Sequence, residues 1–231
     1  MKYLIPFILS SVFISTSASV FASEANDLCA SGKNQSPINI DTKKTLNVET
    51  KGVKFNYGLI KPQSFKNTGE LLQVNVDKGS NIKVDEIEFE LQSLNFHIPS
   101  EHTLNEKHFP MEIQFIHKSK DNQLATVSMM VVPGRPDRTL RKLLQQLPQN
   151  SGESTQLVAN ALRNIEMKKK FANYYRYSGS DTSPSCTEGV RWFIMKNNLT
   201  FSAEQYQMFK KALGQDNNRP VQALNARMIT E

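Results

Sequence analysis

The sequence predicts a mainly β fold, because strand-type patterning fills the middle of the chain and helical patterning is sparse. Residues 84–97 alternate apolar and polar side chains in their central part, and residues 111–117 alternate in the same way. Residues 124–132 form a more continuous apolar run, as expected for a strand that is buried on both faces. Together these observations predict a sheet with peripheral helices.

The remaining elements are shorter or less regular. Residues 53–57 and 71–76 are predicted strands, with turns around Gly58, Gly69 and Gly79. A second helix is predicted at residues 157–165, and a third at residues 203–213, where Ser202 is the N-cap and Gly214 ends the helix. The first helix is predicted from one apolar stripe that ends at Pro148: Leu140, Leu143, Leu144 and Leu147.

The first residues have the pattern of a secretory signal peptide. Lys2 precedes an apolar stretch at residues 3–14, and small residues lead to a cleavage site after Ala22. A retained membrane anchor is the alternative, but the apolar run is too short to span a bilayer comfortably, and no later segment is longer. We expect a leader at residues 1–22 and one domain at residues 23–231, located in the periplasm or secreted.

The net charge, the basic clusters and the cysteines limit the classes of partner and the compartment that fit this chain. The net charge of the 231 residues is +6, and the loss of Lys2 with the leader lowers it by one, to about +5. Basic clusters at residues 135–142 and 168–170 are interpreted as solvated surfaces, since no nucleic-acid motif accompanies them. In an oxidising compartment the two cysteines, Cys29 and Cys186, form a disulfide most simply, and two buried thiols are the alternative.

Four short motifs, in the expected order, resemble those of the α-type carbonic anhydrases. They are NQSPINI at residues 34–40, SEHT at residues 100–103, GSDTSPSCTEGV at residues 179–190 and NRPVQ at residues 218–222. The resemblance extends over about residues 27–227. It implies that family's fold, a large central, mostly antiparallel twisted sheet with a conical pocket.

The resemblance also implies a zinc site, and two of its three ligands are missing here. The family hydrates CO2 at a zinc ion held by three imidazoles, two on one strand and the third on its neighbour. The matching positions are Asn95, His97 and Gln114. Neutral amide oxygens are weak zinc donors. We therefore expect no zinc, no other cofactor and no CO2 hydration, with a buried His97 hydrogen-bonded to Asn95 and Gln114.

None of the other histidines is placed to replace a ligand. His117 follows Gln114 by three residues and so faces the opposite side of the strand, while His102 and His108 flank a loop region.

Groups that surround the zinc site in the family are partly retained. Thr182 and Glu101 match the pair that orients the zinc-bound hydroxide. Glu112 matches the carboxylate that holds the third histidine, and here it is expected to accept from the Gln114 amide. Ser93 replaces the glutamine that supports the first histidine.

Two further departures alter the pocket. The proton-shuttle position is Glu70, and a carboxylate with a pKa near 4 is a poor shuttle at neutral pH. Asp181 replaces a leucine of the wall that faces CO2, and Thr126 replaces a valine. The resemblance places the following residues in this wall: Asp181, Ile116, Thr126, Val190 and Trp192.

Three carboxylates should line or border this pocket: Glu70, Glu101 and Asp181. Such a pocket favours a cation or a hydrogen-bond donor. In the alternative arrangement, Asp181 and Glu70 point to solvent and pair with lysines.

The sequence therefore favours a binding or scaffold protein that uses the fold without catalysis. Two alternatives stay open: a functional carbonic anhydrase (carbonate dehydratase) with an altered metal site, which would use zinc, and another hydrolytic activity based on His97 with Glu101 or Asp181. The expected partner is an unknown protein or a small polar or cationic ligand, with no nucleic acid and no membrane span.

Overall fold

The computed structural model describes residues 28–49, 52–157 and 171–231. The predicted leader, all but the first residue of the predicted helix at residues 157–165, and the basic cluster at residues 168–170 lie outside the described residues. No helix in the described ranges has the length and hydropathy that a membrane crossing requires.

Strands dominate the described part of the chain, which confirms the predicted mainly β class. Residues 28–31 form a helical turn ahead of the first strand. The strands are β1 (Asn39–Ile40), β2 (Lys54–Tyr57), β3 (Pro62–Asn67), β4 (Leu72–Val76), β5 (Ser80–Val84), β6 (Ile87–His97), β7 (Thr103–Leu104), β8 (Lys107–His108), β9 (Met111–Ser119), β10 (Leu124–Pro133), β11 (Ser154–Gln156), β12 (Tyr174–Ser180), β13 (Glu188–Met195) and β14 (Leu199–Phe201). The helices are α1 (Arg138–Leu144) and α2 (Ala203–Leu213).

One large sheet organises these strands. Its main order is β11-β3-β4-β6-β9-β10-β13-β12, with β5 on β6, β2 on β5 and β14 on β10. The pairs of β10 with β13 and with β14 are parallel, and the other pairs in this sheet are antiparallel. The mostly antiparallel sheet implied by the resemblance is therefore present. A small second sheet has the order β1-β7-β8.

The pleat of the central strands separates an apolar side of the sheet from a polar one. On β6, Leu94 and Phe96 point into the larger hydrophobic core, so Asn95 and His97 point to the opposite side. The larger core continues through buried residues of β4, β9, β10 and β13, among them Leu72, Phe115, Val127 and Phe193. The other side carries the polar residues of the candidate site.

The structure corrects one predicted strand and confirms one predicted helix. The segment predicted as a strand from residue 84 is interrupted at Asp85 and Glu86, whose φ angles of 48° and 68° form the turn between β5 and β6. The two adjacent polar residues break the alternation of polarity, but the turn lacks the Asn-Gly or Asp-Gly pair that usually marks a two-residue hairpin. Helix α2 has the predicted bounds, with Ser202 as N-cap and the left-handed Gly214 (φ 78°) as C-cap.

Candidate functional site

The floor of the candidate pocket is built from two neighbouring antiparallel strands. In the register of β6 and β9, Asn95 lies directly opposite Gln114, and His97 lies opposite Glu112. Residues directly opposite each other in a ladder share a face, as do residues two apart on one strand. The three positions that match the family's zinc ligands therefore converge on one side of the sheet, and all three side chains are buried.

Both floor amides are held by hydrogen bonds to neighbouring side chains. The Oδ1 atom of Asn95 accepts from Gln73 Nε2 at 2.9 Å and from Ser93 Oγ at 3.2 Å. The Nε2 atom of Gln114 donates to Glu101 Oε2 at 2.7 Å and to Glu112 Oε1 at 3.1 Å. The expected acceptance of the Gln114 amide by Glu112 is present.

His97 does not make the hydrogen bonds expected from the sequence. Its side chain is buried, yet neither ring nitrogen has a hydrogen-bond partner among the described residues. The nearest carboxylate oxygen, Glu101 Oε1, lies 3.5 Å from Nδ1. The physical reason is that Asn95 is turned toward Gln73, while Gln114 is held by two carboxylates.

Glu112 joins the floor to the surrounding structure. Its Oε2 accepts from the backbone N–H groups of Glu101 and His102, both at 2.9 Å. Its Oε1 accepts from His102 Nδ1 at 2.9 Å and Ser128 Oγ at 2.7 Å. Burial acts to raise the pKa of Glu112, but the charge and hydrogen bond of His102, with the bond from Ser128, lower it to about 2. Glu112 is therefore a fixed anion whose lone pairs are committed.

The Thr182–Glu101 pair expected from the resemblance is not hydrogen-bonded in the structure. Within the described residues, the oxygens of Glu101 accept instead from Gln114 and from the backbone N–H of Arg219, the latter at 3.1 Å. The retained threonine and glutamate therefore do not form the orienting arrangement that the resemblance implies.

The other two expected pocket carboxylates differ in exposure. Asp181 is partly buried and accepts from the backbone N–H of Ser183 at 3.1 Å. Burial raises the pKa of Asp181, and the negative charge of Glu101 adds to this. Glu70 is exposed, and its backbone is tied to β6 because Asn217 Nδ2 donates to the carbonyls of Glu70 and Phe96. Neither carboxylate forms an ion pair with a described residue, so the alternative of lysine pairing is not observed.

The expected wall residues lie along strands on the same side of the sheet as the floor. Thr126 on β10 is opposite Ile116 on β9 and is paired in parallel with Trp192 on β13. Val190 and Trp192 belong to a second, smaller buried cluster, and Trp192 Nε1 donates to the carbonyl of Ser180 at 3.0 Å.

The motifs that carry the resemblance meet in one network around the floor, which we call the frame: residues 28–40, 100–103, 177–190 and 218–222. The Arg219 side chain joins residues 218–222 to residues 28–40, since Nη1 donates to Gln35 Oε1 at 2.9 Å and to the Ser36 carbonyl at 2.7 Å. Its Nη2 donates to the Cys29 carbonyl at 2.9 Å. The predicted disulfide between Cys29 and Cys186 is present and joins residues 157 apart in sequence.

Buried hydroxyls complete the frame. The Ser36 and Ser180 hydroxyls each accept from the other's backbone N–H, at 3.0 and 2.9 Å. Tyr177 OH lies 2.8 Å from Ser36 Oγ and 2.6 Å from His102 Nε2, which links this pair to Glu112. A Cβ atom at Gly179 would lie 2.1 Å from Ser36 Oγ, so only glycine permits this approach.

Sequence reasoning missed several residues of this site. Gln73, Tyr177 and Arg219 orient the floor or hold the frame, but only Arg219 lies in a motif that was recognised. Tyr177 stands in the alternating YYRYSGS run of β12, which is the signal that could have identified a strand there.

The donor atoms of the floor do not fit a zinc ion. Zinc in proteins prefers imidazole, thiolate or carboxylate ligands. Here one imidazole faces two amides, the Asn95 oxygen is already an acceptor of two hydrogen bonds, and the Gln114 nitrogen faces two carboxylates. Within the described ranges, no group of three or more His, Cys, Asp and Glu residues is arranged to hold a metal ion.

Comparison with known proteins identifies the family. The sequence model of the eukaryotic-type carbonic anhydrase family matches residues 21–231 of this chain. The carbonic anhydrase of Pectobacterium atrosepticum is 36% identical over 206 residues, which are 87% of this chain and 81% of that protein. The carbonic anhydrase of Neisseria gonorrhoeae is 35% identical over 212 residues, which are 90% of this chain and 81% of that protein.

Solved structures agree with the sequence matches. The α-carbonic anhydrase of Thermovibrio ammonificans in complex with the inhibitor sulfanilamide has a TM-score of 0.81 and 34% identity, over 90% of this chain and 91% of that one. A dioscorin complexed with ascorbate has a TM-score of 0.78 and 28% identity, and the match covers 90% of this chain and 92% of that one. The chain therefore belongs to the eukaryotic-type, or alpha, carbonic anhydrase family.

Proposed function

We propose that this protein is an exported, non-catalytic member of the carbonic anhydrase family that binds a small cation or hydrogen-bond donor in its pocket. The proposal rests on how the side chains of the floor are hydrogen-bonded. Two of the three family ligand positions are amides committed to other hydrogen bonds, and the remaining imidazole has two buried nitrogens without partners.

The first part of the proposal is that the pocket neither holds zinc nor hydrates CO2. CO2 hydration in this family requires a zinc-bound hydroxide, for which three neutral imidazoles hold the metal and leave one site open. A zinc ion at this floor would have to displace the Gln73 and Ser93 hydrogen bonds to Asn95 before that oxygen became available. The exchange would gain only a weak neutral ligand.

The second part is that the floor binds a ligand of its own. A buried polar group without a hydrogen bond costs about 1–3 kcal/mol, so His97 destabilises the unliganded protein. A ligand that donates a hydrogen bond to the unprotonated ring nitrogen removes part of this cost. His97 thus provides a specific contact at the base of the pocket.

The charges near His97 favour a positively charged or donor-rich ligand. Asp181 and Glu101 are close enough for the charge of Glu101 to raise the pKa of Asp181. The charge of Arg219 interacts with both carboxylates, but its guanidinium donates to Gln35 and to two backbone carbonyls of the frame. Without a zinc dication, the field at the floor therefore favours amines and ammonium groups over anions.

A relative with this fold has been solved with a small organic ligand, the dioscorin complexed with ascorbate. That complex supports the view that the family's fold serves for binding molecules other than CO2. Ascorbate is an anion, whereas the Asp181 and Glu101 carboxylates favour a positively charged ligand in this protein.

Export completes the proposal. The leader-like pattern of residues 1–22 and the disulfide both fit a protein that matures in an oxidising compartment, the periplasm or the cell exterior.

A thermal-shift screen with small primary amines tests the binding proposal. We expect amines to raise the melting temperature of the wild-type protein and to lose that effect in Asp181→Leu, which restores the family's apolar wall residue. Asp77→Leu is the matched control, because Asp77 is an exposed carboxylate outside the expected pocket residues. Preferential stabilisation by bicarbonate or a sulfonamide, or equal loss in both variants, would contradict the proposal.

A further inference from the structure

We propose that a second site, separate from the pocket, binds a phosphate or sulfate ester through three arginines. The site is a groove of about 790 Å³ that is lined by residues of β12, β13 and the C-terminal segment, together with Asp85 and Gln123. Arg176, Arg191 and Arg227 line it, and Asp85 is the single carboxylate among its lining residues. Nothing in the carbonic anhydrase resemblance or in the pocket proposal accounts for this concentration of guanidinium groups.

Each arginine is held in place by its own contacts. Arg176 forms an ion pair with Asp85 and lies over the Phe193 ring, 5.5 Å from the ring centre. Arg191 lies over the Phe89 ring at 5.3 Å, and its Nη1 donates to Gln123 Oε1 at 2.9 Å. Stacking on an aromatic ring fixes the plane of a guanidinium group, so these donors are preorganised.

Arg227 is fixed from the other side of the groove. Its Nε, Nη1 and Nη2 donate to the backbone carbonyls of Leu224, Ser178 and Ala223 at 2.9, 3.1 and 2.7 Å. Each of these three nitrogens is committed to a carbonyl, but the two terminal ones carry a second N–H each. Burial lowers the pKa of Arg227, because its charge is desolvated without an ion-paired carboxylate.

The balance of charge in the groove is positive. Asp85 pairs with Arg176, so Arg191 and Arg227 remain without a carboxylate partner among the described residues. The nearby Glu188 acts on Arg227, but its oxygens accept from Asn34 and Gln35. Planar guanidinium groups that keep uncommitted N–H donors match the oxygens of a phosphate or sulfate.

The size and rim of the groove indicate an ester and not a free inorganic ion. A volume of about 790 Å³ is in the range of sites that hold small organic molecules. Met228, which is 68% exposed, borders the groove and offers an apolar surface to the organic part of such a ligand. A soluble sugar phosphate and an anionic lipid headgroup share this chemistry.

Titration calorimetry with glucose 6-phosphate tests the site, with glucose as the neutral control and phosphatidylglycerol vesicles as the lipid arm. Arg191→Gln should weaken ester binding about tenfold, because a charge-assisted hydrogen bond is lost. Arg138→Gln is the matched control, since Arg138 is exposed and outside the groove, and it should leave binding unchanged. Asp85→Asn should tighten binding, because it frees Arg176, and asparagine tolerates the positive φ at this position.

The two arms distinguish the sources of the ester. Arg191-dependent binding of glucose 6-phosphate identifies a soluble ligand, and Arg191-dependent binding of vesicles alone identifies a lipid headgroup. The proposal is overturned if neither probe binds saturably, or if Arg138→Gln weakens binding as much as Arg191→Gln.

Discussion

The frame and the floor of the pocket differ in how their polar groups are partnered. In the frame, Arg219 donates to three acceptors, and Glu188 accepts from Asn34 and Gln35. In the floor, His97 is more deeply buried than Arg219 and Glu188, and it has no hydrogen-bond partner among the described residues. The frame is satisfied by the protein alone, whereas the floor leaves both ring nitrogens of His97 without a partner among the described residues, and the proposed ligand site rests on this difference.

The largest expected effect comes from restoring the floor to the family's ligand set. The double variant Asn95→His plus Gln114→His should bind close to one equivalent of zinc, because the β6–β9 register places the three imidazoles on one face. Glu112 is already placed to accept from a residue at position 114. CO2 hydration should return only weakly, since Glu70 is a poor proton shuttle and Asp181 stands in the wall.

Metal analysis after dialysis measures the uptake. Each single variant should bind zinc far more weakly, and His97→Ala in the double variant should abolish binding. A double variant that folds normally and takes up no zinc would show that Asn95 and Gln114 are not the family's ligand positions.

Removing the disulfide tests how far the frame depends on its covalent link. Cys29→Ser plus Cys186→Ser should lower the free energy of unfolding by about 3–5 kcal/mol, because the bond closes a very long loop. Urea unfolding of the variant and of the oxidised wild-type protein gives the difference. A loss below about 1 kcal/mol would mean that the hydrogen bonds of Asn34, Gln35 and Ser36 to residues 180–188 hold the two segments without the disulfide.

A pair of leucine substitutions compares a partnered floor residue with an unpartnered one. Gln114→Leu should cost about 1–3 kcal/mol, since it removes a donor from both Glu101 and Glu112. His97→Leu should be neutral or stabilise the protein by about 1 kcal/mol, because the imidazole has no hydrogen bond to lose. Equal losses in the two variants would contradict the contrast between them.

The pH dependence of stability tests a second buried histidine, His117, which lies on the apolar side of the sheet. His117 Nδ1 donates to the Ala125 carbonyl, so Nε2 accepts from Tyr57 OH at 2.7 Å and the ring is neutral. Burial lowers the pKa of His117 to about 3, from about 6.5 in the unfolded chain. Its contribution to stability is therefore complete above pH 6.5 and is lost as the pH falls toward 3.

This loss amounts to about 1.4 kcal/mol per pH unit at most. His117→Gln should reduce the slope of unfolding free energy against pH between 4 and 6 by up to this amount. An unaltered slope in His117→Gln would show that His117 is not held neutral.

Sequence reasoning located the strands of the floor because those strands are long and regularly patterned. It placed Asn95, His97 and Gln114 on β6 and β9 and anticipated the disulfide. The turn at Asp85 and Glu86 was missed because it lacks the Asn-Gly or Asp-Gly pair that usually marks a two-residue hairpin turn, although its two adjacent polar residues interrupt the alternation of polarity.

The hydrogen bonds of the floor could not be predicted from the sequence, for a different reason. Whether Asn95 turns toward His97 or toward Gln73 depends on the pairing of β4 with β6, a contact between residues far apart in the chain. The arginine groove was missed in the same way, since Arg176, Arg191 and Arg227 form no motif and are brought together only by the β12–β13 pair and the C-terminal segment.

Zinc content measured together with CO2 hydration, on wild-type protein purified with added zinc, tests the central claim most directly. If the floor is the binding site described above, the dialysed protein should carry far less than one equivalent of zinc, and hydration should not exceed the buffer rate. Close to one equivalent of tightly bound zinc, with hydration that a sulfonamide inhibits, would contradict the claim.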